Sequence, residues 1–251
     1  VHTSIQDLSL RAKAKMEKRH NKLFCEFFNM SQEELQQNNV VLPAPGQKIV
    51  ILAGPFASGK TEIFEQKYNK DDFVVIDLDV IRTMLMKRYN PSNQAHVQKV
   101  REESWMISDK LLMMALKLGK SVLIQTALHR KDRWLNDVSL NFAQENEIPI
   151  DIEYIARPFE ECLMRNAGRD RLALLQDLYE SMKGITTLKA MIEKFSMITK
   201  VTITDFHKLN REHSVYPSLA FEKLYLILRK LKNDYSEKVQ IDPSEKDLPV
   251  A

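Results

Sequence analysis

Residues 54–61 have the sequence Gly-Pro-Phe-Ala-Ser-Gly-Lys-Thr, which fits the pattern G-x-x-x-x-G-K-[S/T]. In this pattern the backbone N–H groups of a tight turn converge on phosphate oxygens, the lysine reaches the β- and γ-phosphates, and the hydroxyl binds Mg²⁺. The pattern therefore predicts a loop that binds ATP and Mg²⁺. The residues assigned to this loop's binding function are Gly54, Ala57, Ser58, Gly59, Lys60 and Thr61, with Thr61 also a metal ligand.

The chain on either side of this loop supplies the expected context. Residues 48–53 form an apolar run that predicts a β-strand, and the residues after Lys60 predict a helix whose positive N-terminal end faces the anion. The alternative is an ordinary strand-turn-helix with a surface lysine. The chain has only 6 glycines, and Gly54 and Gly59 occupy the positions that the pattern demands, which favours a phosphate-binding loop.

Two carboxylates, Asp77 and Asp79, follow the second apolar run. In a doubly wound sheet the C-terminal ends of the strands line the ligand crevice. Phosphoryl transfer to an alcohol needs a carboxylate that orients and deprotonates the hydroxyl, with Mg²⁺ and positive side chains that offset the developing charge. We assign Asp79 as the general base and Arg82 to an acceptor phosphate or the transition state. Asp77 is either a Mg²⁺ ligand or a cap at the strand end.

Three arginines, Arg165, Arg169 and Arg171, surround Gly168 in a polar segment after the fourth apolar run. Mobile arginines in such a segment can close over ATP and exclude water from the transferring group. The sequence therefore predicts a lid in which Arg165 and Arg169 act in catalysis and Arg171 binds ATP. The alternative is an exposed basic face of a helix.

Length and composition restrict the class of protein. The 251 residues, 44% of them hydrophobic, allow one sizeable core, and a net charge of +3 is too balanced to predict nucleic-acid binding. No apolar run is long enough to cross a bilayer, and the N-terminal residues lack the apolar core of a secretory signal. We therefore expect a cytoplasmic protein without a membrane partner, or one delivered into another cell. Cys25 and Cys162 are expected to be small side chains of amphipathic helices rather than a disulfide.

Apolar runs and helical patterns alternate along the chain, which is typical of a parallel sheet covered by helices on both faces. The sequence predicts an α/β protein with a P-loop NTPase or kinase-like fold: a mainly parallel five-stranded sheet flanked by helices, plus N-terminal and C-terminal helices. The predicted strands are residues 48–53, 73–77, 121–125, 150–156 and 201–206, and the clearest helices are 102–118, 159–166 and 188–195.

Three segments are expected on either side of these elements. Residues 1–45 predict a helical N-terminal extension packed on the core, because apolar and basic residues alternate there at helical spacing. Residues 46–232 form the predicted P-loop domain and end in an amphipathic helix near 218–231. Residues 233–251 are polar enough to predict a loose tail.

These motifs resemble the zeta-toxin family of P-loop kinases and, more distantly, the polynucleotide kinases. The resemblance spans residues 43–216. After the phosphate loop it is carried by residues 76–79, Ile-Asp-Leu-Asp, where the family has a D-x-D motif with its catalytic base at the second aspartate. On the helix before the third strand, Asp109 matches the family's acidic substrate-binding residue.

The C-terminal part extends the resemblance. Pro158 followed by Arg165 and Arg169 is similar to the family's lid arginines, which contact the triphosphate. Residues 209–212 are similar to its closing Asn-Arg. The order and spacing of these short elements together make the resemblance fairly specific.

The chain departs from the family at three places. One is the stretch about four turns beyond the first lid arginine, where the family has its second lid arginine and this chain has Met182 and Lys183. At the end of the third strand, Gln125, Thr126 and Ala127 occupy the positions where the family has Glu, Gly and Thr for sugar-nucleotide recognition. The resemblance assigns Gln125 and Thr126 to the acceptor but leaves its identity open. In the phosphate loop, residues 56–57 are Phe-Ala where the family usually has Pro-Gly.

The sequence therefore predicts a Mg²⁺- and ATP-dependent kinase that phosphorylates a hydroxyl of a small phosphorylated or nucleotide-linked acceptor. The resemblance implies sugar nucleotides of the UDP-N-acetylglucosamine type and a protein antitoxin or inhibitor as a partner. Two alternatives stay open. A polynucleotide 5′-hydroxyl kinase would bind oligonucleotides in a salt-sensitive manner. A non-catalytic nucleotide-binding interaction protein would not need the base at Asp79.

Overall fold

The computed structural model describes residues 10–28, 31, 33, 43–86, 94–168, 175–205, 227 and 230–243. Arg169, Arg171, residues 209–212 and most of the predicted helix at 218–231 lie outside the described residues. None of the helices in these ranges combines the length and the apolar character that a membrane crossing requires.

Six strands form one sheet. Their bounds are β1 Ile49–Ala53, β2 Val74–Asp77, β3 Val122–Thr126, β4 Ile150–Ala156, β5 Ile198–Asp205 and β6 Val239–Pro243. The strand order is β2-β3-β1-β4-β5-β6. The pairs β1–β4, β4–β5 and β5–β6 are parallel. The predicted α/β fold with a parallel sheet is confirmed.

The central strand β1 is buried on both faces. Every residue from Ile49 to Ala53 is buried, and successive side chains of a strand point to opposite faces, so both faces of β1 are covered. The register with β4 runs from Ile49 opposite Ile150 to Ala53 opposite Tyr154. Because the two strands are parallel and in this register, the chain leaves both strands at the same edge of the sheet.

The prediction of five strands is wrong by one. The sixth strand, β6, falls within residues 233–251, which the composition assigns to a loose polar tail. It pairs with β5 from Val201 opposite Val239 to Asp205 opposite Pro243. Only two residues of β6 are large and apolar, so its pairing depends on backbone hydrogen bonds to the edge of β5, which composition does not reveal.

Nine α-helices have both ends within the described ranges of the chain, which also contain a 3₁₀ helix at Lys70–Asp72 and helical residues at 230–234. Their bounds are α1 Leu10–Phe28, α2 Lys60–Lys67, α3 Leu78–Met86, α4 Gln94–Lys117, α5 Lys131–Leu135, α6 Val138–Glu145, α7 Phe159–Ala167, α8 Leu175–Ser181 and α9 Gly184–Lys194. The helices predicted at 102–118, 159–166 and 188–195 are present as α4, α7 and α9.

The chain divides into two compact units, residues 1–47 with 70–123 and residues 48–69 with 124–251. In the first unit, α1 contacts α4 through a buried carboxylate. Glu103 accepts a hydrogen bond from Nη2 of Arg19 at 2.5 Å, and its Oε1 lies 3.1 Å from Nε2 of the fully buried His20. The N-terminal helix is therefore attached to α4 by polar contacts to the buried Glu103. The predicted domain boundaries near 45 and 232 stay predictions.

Candidate functional site

The phosphate loop makes a sharp turn between β1 and α2 in the second unit. Three of its residues have positive φ: Gly54 at +150°, Ala57 at +59° and Gly59 at +97°. A Cβ at Gly54 would lie 2.8 Å from the carbonyl oxygen of Ile155, so only glycine fits there. The N–H of Gly54 donates to the carbonyl oxygen of Thr126 at 3.2 Å, which attaches the loop to the end of β3.

Ala57 adopts a left-handed backbone conformation that glycine takes more easily. For a residue with a Cβ this conformation costs on the order of 1 kcal/mol. The carbonyl oxygen of Ala57 accepts a hydrogen bond from Nε of Arg165 at 3.1 Å, and this bond offsets part of the strain. The loop thus keeps its left-handed residue where the resembling family usually has glycine.

Lys60 begins α2, and its side chain folds back over the loop. Its Nζ donates to the carbonyl oxygens of Gly54 at 2.9 Å and Pro55 at 2.7 Å. Gly59 precedes the helix and has no side chain with which to cap it. The first N–H groups of a helix have no partner within the helix, and such groups can bind an anion. Thr61, the predicted metal ligand, is exposed in the first turn of this helix.

Arg157 is a buried arginine beside the loop that the sequence analysis missed. Its Nε donates to the carbonyl oxygen of Ser58 at 2.9 Å, and its Nη1 donates to Oε2 of Glu161 at 2.9 Å. Burial lowers the pKa of Arg157, the nearby charge of Arg165 lowers it further, and Glu161 opposes both effects. The signal that would have found it is an arginine placed directly after the apolar run 150–156.

Arg165, the predicted lid arginine, lies against the loop from the last turn of α7. Besides its bond to Ala57, its Nη2 pairs with Oε1 of Glu62 in the first turn of α2. Arg157 and Arg165 therefore bring two like charges to the same loop, and an anion bound beside them would relieve their repulsion. The other predicted lid residues, Arg169 and Arg171, lie outside the described residues.

Further contacts fix the opposite part of the loop. The N–H of Phe56 donates to Oγ of Ser181 at 3.1 Å, and that hydroxyl donates to the carbonyl oxygen of Leu178 at 2.6 Å. The rings of Phe56 and His129 are 6.0 Å apart. Gln125, the remaining predicted acceptor residue of this unit, is half-buried at the end of β3. These contacts hold the first half of the loop between α8 and the segment after β3.

Four predicted site residues belong to the first unit. Oδ1 of Asp77 accepts the N–H of Asp79 at 2.7 Å, so the expected cap at the strand end is present. Oδ1 of Asp79 lies 3.1 Å from Nη1 of Arg82, whose Nε approaches Oγ of Ser104 at 3.4 Å. The structure thus brings Asp77, Asp79 and Arg82 together at the start of α3. Asp109 is exposed on α4.

The second unit also contains a polar cavity of about 520 Å³ on a face of the sheet. It is lined by Lys48, Val50, Lys67, Tyr68, Asp151, Ile152, Glu153, Lys200, Thr202 and Gln240. Both of its carboxylates have cationic neighbours, since Lys67 pairs with Glu153 at 2.7 Å and Lys48 lies 3.8 Å from Asp151. We interpret these ion pairs as contacts that stabilise the sheet.

The fold and the loop define the class of protein: a kinase-like P-loop α/β protein. Residues 49–198 match the model of a family described as an AAA domain, and the chain belongs to that family. No curated protein matches the sequence.

Two solved structures share the fold. One belongs to the PezAT chromosomal toxin–antitoxin system of Streptococcus pneumoniae; it has a TM-score of 0.53 and 16% identity, and the match covers 94% of this chain and 100% of that one. The other is AvrRxo1-ORF1:-ORF2 with ATP, with a TM-score of 0.52 and 16% identity over 91% of this chain and 81% of that one. The predicted resemblance to zeta-toxin-like kinases is confirmed at the level of the fold.

Proposed function

We propose that this protein is a Mg²⁺- and ATP-dependent phosphotransferase that phosphorylates a hydroxyl of a small phosphorylated or nucleotide-linked acceptor. The observation that carries the proposal is the phosphate loop, whose backbone is contacted by the side chains of Lys60, Arg157 and Arg165. Three cations beside the N-terminus of a helix suit an anion with several negative charges, and a triphosphate is such an anion.

The triphosphate would bind through the loop. Lys60 would exchange its bonds to two backbone carbonyls for bonds to β- and γ-phosphate oxygens, which are stronger acceptors because they are charged. Arg165 would stabilise the charge on the transferring phosphoryl group, helped by Arg169 and Arg171. In this step the acceptor oxygen bonds to the γ-phosphorus, the bond from that phosphorus to the β–γ bridging oxygen breaks, and ADP leaves.

The proton of the acceptor hydroxyl would pass to Asp79. Its carboxylate is only half-buried and pairs with Arg82, so an acceptor hydroxyl can reach it from solvent. The neighbouring guanidinium of Arg82 would bind a phosphate of the acceptor. The short bond from the N–H of Asp79 to Asp77 fixes the backbone at this position.

Mg²⁺ would be held by the hydroxyl of Thr61, by phosphate oxygens and by Asp77. In the parts of the chain that the structure describes, no three His, Cys, Asp or Glu side chains are grouped as metal ligands. Mg²⁺ keeps several waters and commonly binds one or two protein groups together with substrate phosphates, so Thr61 and Asp77 would suffice as its protein ligands. The ion would supply charge neutralisation for the transferring group.

Sugar nucleotides of the UDP-N-acetylglucosamine type are the first acceptors to test, because the sequence resembles the zeta toxins. Gln125, Thr126 and Asp109 are the proposed acceptor-binding residues. We also propose a protein inhibitor as a partner, since the PezAT structure belongs to a toxin–antitoxin system and the AvrRxo1 structure contains two proteins.

The test is transfer of labelled γ-phosphate from ATP, with MgCl₂, to a panel of UDP-sugars, nucleosides and 5′-hydroxyl oligonucleotides. Wild type is compared with Lys60→Ala and Asp79→Asn. The expected result is labelling of one acceptor class, lost in Lys60→Ala and reduced by about 10²-fold or more in Asp79→Asn, because each change removes a group that acts in the transition state. Asp132→Asn, which alters an exposed carboxylate outside this machinery, serves as the control and should keep wild-type transfer.

Each other outcome selects a different function. Labelling of oligonucleotides alone, weakened by salt, would identify a polynucleotide kinase. ATP binding without transfer to any member of the panel would favour a non-catalytic nucleotide-binding protein. Equal transfer by wild type and Asp79→Asn would contradict the assignment of the base.

A further inference from the structure

Three charged side chains converge on Gly59 at the end of the phosphate loop. The position that a Cβ of Gly59 would take lies 3.3 Å from Oε2 of Glu62, 3.6 Å from Nη2 of Arg157 and 3.8 Å from Nη2 of Arg165. Each arginine has its own carboxylate, Glu161 for Arg157 and Glu62 for Arg165. The loop is thus bordered by two arginine–glutamate pairs.

The two pairs differ in burial. The side chains of Arg157 and Glu161 are 9% and 16% exposed, and Arg157 also holds the carbonyl oxygen of Ser58. The side chains of Arg165 and Glu62 are 19% and 41% exposed. Breaking the first pair would separate two buried opposite charges, which is costly, whereas the second pair can separate into solvent with little loss.

The position of Glu62 explains how it holds Arg165 close to the phosphate loop. It lies in the first turn of α2, two residues after the phosphate-loop lysine Lys60, where the helix dipole favours negative charge. From there it attracts Arg165 to the same end of the loop that would receive the terminal phosphates. The carboxylate of Glu62 is negatively charged and presents two oxygens, as a phosphate group does. It can therefore occupy the guanidinium of Arg165 in the way that a phosphate would.

We infer that Glu62 is a positioning residue that holds Arg165 at the phosphate loop and yields it to the terminal phosphate of ATP, while the Arg157–Glu161 pair stays in place. This inference rests on the proposed binding of ATP. Glu62 pre-orients the arginine and also competes with the nucleotide for it. Part of the binding free energy of ATP is spent on separating Arg165 from Glu62.

The competition predicts the sign of a mutational effect. Glu62→Gln keeps the size of the side chain and removes its charge, so ATP should bind about two- to five-fold more tightly, a range set by the modest strength of a partly exposed ion pair. ADP lacks the γ-phosphate that would bind Arg165 in place of Glu62, so the affinity for ADP should change less than the affinity for ATP. A purely structural role for Glu62 would weaken both nucleotides or leave both unchanged.

The matched control is Glu161→Gln, which removes the carboxylate of the buried pair. It should not tighten ATP binding, because Arg157 keeps its bond to the carbonyl of Ser58 and does not transfer. In the background Arg165→Ala, the change Glu62→Gln should no longer improve the ATP affinity. Because the side chain of Glu62 is 41% exposed, its variant is expected to fold. Glu62→Ser is a second substitution for which we also expect tighter ATP binding.

The experiment is isothermal titration of wild type and these variants with ATP and with ADP in MgCl₂. No ATP binding by the wild type would refute the proposed function itself. Wild-type ATP binding together with equal or weaker binding by both Glu62 variants would overturn the inference and leave the proposed function intact. Tighter ATP binding that persists equally in the Arg165→Ala background would also overturn it.

Discussion

Glu153 is a buried carboxylate in the middle of β4, and its replacement by glutamine gives a sharp test of the packing in the second unit. Its side chain is 6% exposed and accepts hydrogen bonds from Nζ of Lys67 at 2.7 Å, from the hydroxyl of Tyr68 at 2.9 Å and from the hydroxyl of Thr204 at 3.0 Å. Burial first, and then the charge of Glu153, raise the pKa of Tyr68, so the phenol stays a donor at neutral pH. The carboxylate therefore joins the end of α2 to two strands.

The magnitude follows from these three bonds. Hydrogen bonds to a charged acceptor contribute about 1.5–3 kcal/mol each, but Lys67 is 39% exposed and its pair with Glu153 is screened to under about 1 kcal/mol. The glutamine NH₂ would also face a donor at one of the two oxygen positions. Glu153→Gln should therefore lower the free energy of unfolding by about 3 kcal/mol, which for a chain of this size shifts Tm by roughly 6–12 °C.

The assay is urea denaturation followed by circular dichroism, with Asp151→Asn as the matched control. Asp151 lies two residues earlier on the same strand and is 30% exposed. Among the described residues it accepts an exposed bond from Thr199 at 3.1 Å and has a long contact to Lys48 at 3.8 Å. Its substitution should cost less than about 1 kcal/mol. If Glu153→Gln and Asp151→Asn destabilise the protein equally, the assignment of Glu153 as the central buried contact is wrong.

Two further predictions concern the same unit. A Cβ at Gly184 would meet the carbonyl oxygen of Ala127, so Gly184→Ala should lower the free energy of unfolding by about 1–3 kcal/mol, as measured by urea denaturation. The control is Gly168→Ala, where the nearest atom to the new Cβ is at an ordinary 3.8 Å and the expected change is less than about 0.5 kcal/mol. Equal effects of the two substitutions would contradict the tight contact at Gly184. Burial raises the pKa of the Cys162 thiol from 9.0 to about 12, so as pH rises the unfolded state loses this proton before the folded state does. The free energy of unfolding should therefore fall between about pH 9 and pH 12, by about 1.4 kcal/mol per pH unit. Cys162→Ala should remove this contribution to the pH dependence, and a pH dependence equal to that of the wild type would refute the raised pKa of Cys162.

Much of the fold could be predicted because β1 is apolar over its whole length and β4 is apolar except at Asp151 and Glu153. Residues 49–53 and 150–156 are strongly β-branched or aromatic, and both are strands close to the predicted bounds. The strand Val239–Pro243 was missed because only two of its residues are large and apolar and it lies among charged residues. Its partner is the edge of β5, and that pairing is a long-range contact that no local pattern contains.

The site shows the same division between local and long-range information. The phosphate loop and the helix that starts at Lys60 follow from eight consecutive residues, so the pattern predicts them directly. The contact of Arg157 with Ser58 joins residues 99 positions apart, and it depends on the parallel register of β1 and β4. Arg165 was predicted as a lid residue, but its pairing with Glu62 could not be predicted. The contact between the two side chains depends on how α7 packs against the loop, and no local sequence pattern contains that information.

The central claim of this account is that the phosphate loop binds the triphosphate of ATP through Lys60. Isothermal titration with ATP and MgCl₂ tests it most directly, using wild type, Lys60→Ala and the control Lys117→Ala, which removes an exposed lysine at the end of α4. The account predicts one ATP site that Lys60→Ala weakens at least about tenfold and that Lys117→Ala changes less than about twofold. No binding by the wild type, or equal binding by wild type and Lys60→Ala, would contradict it.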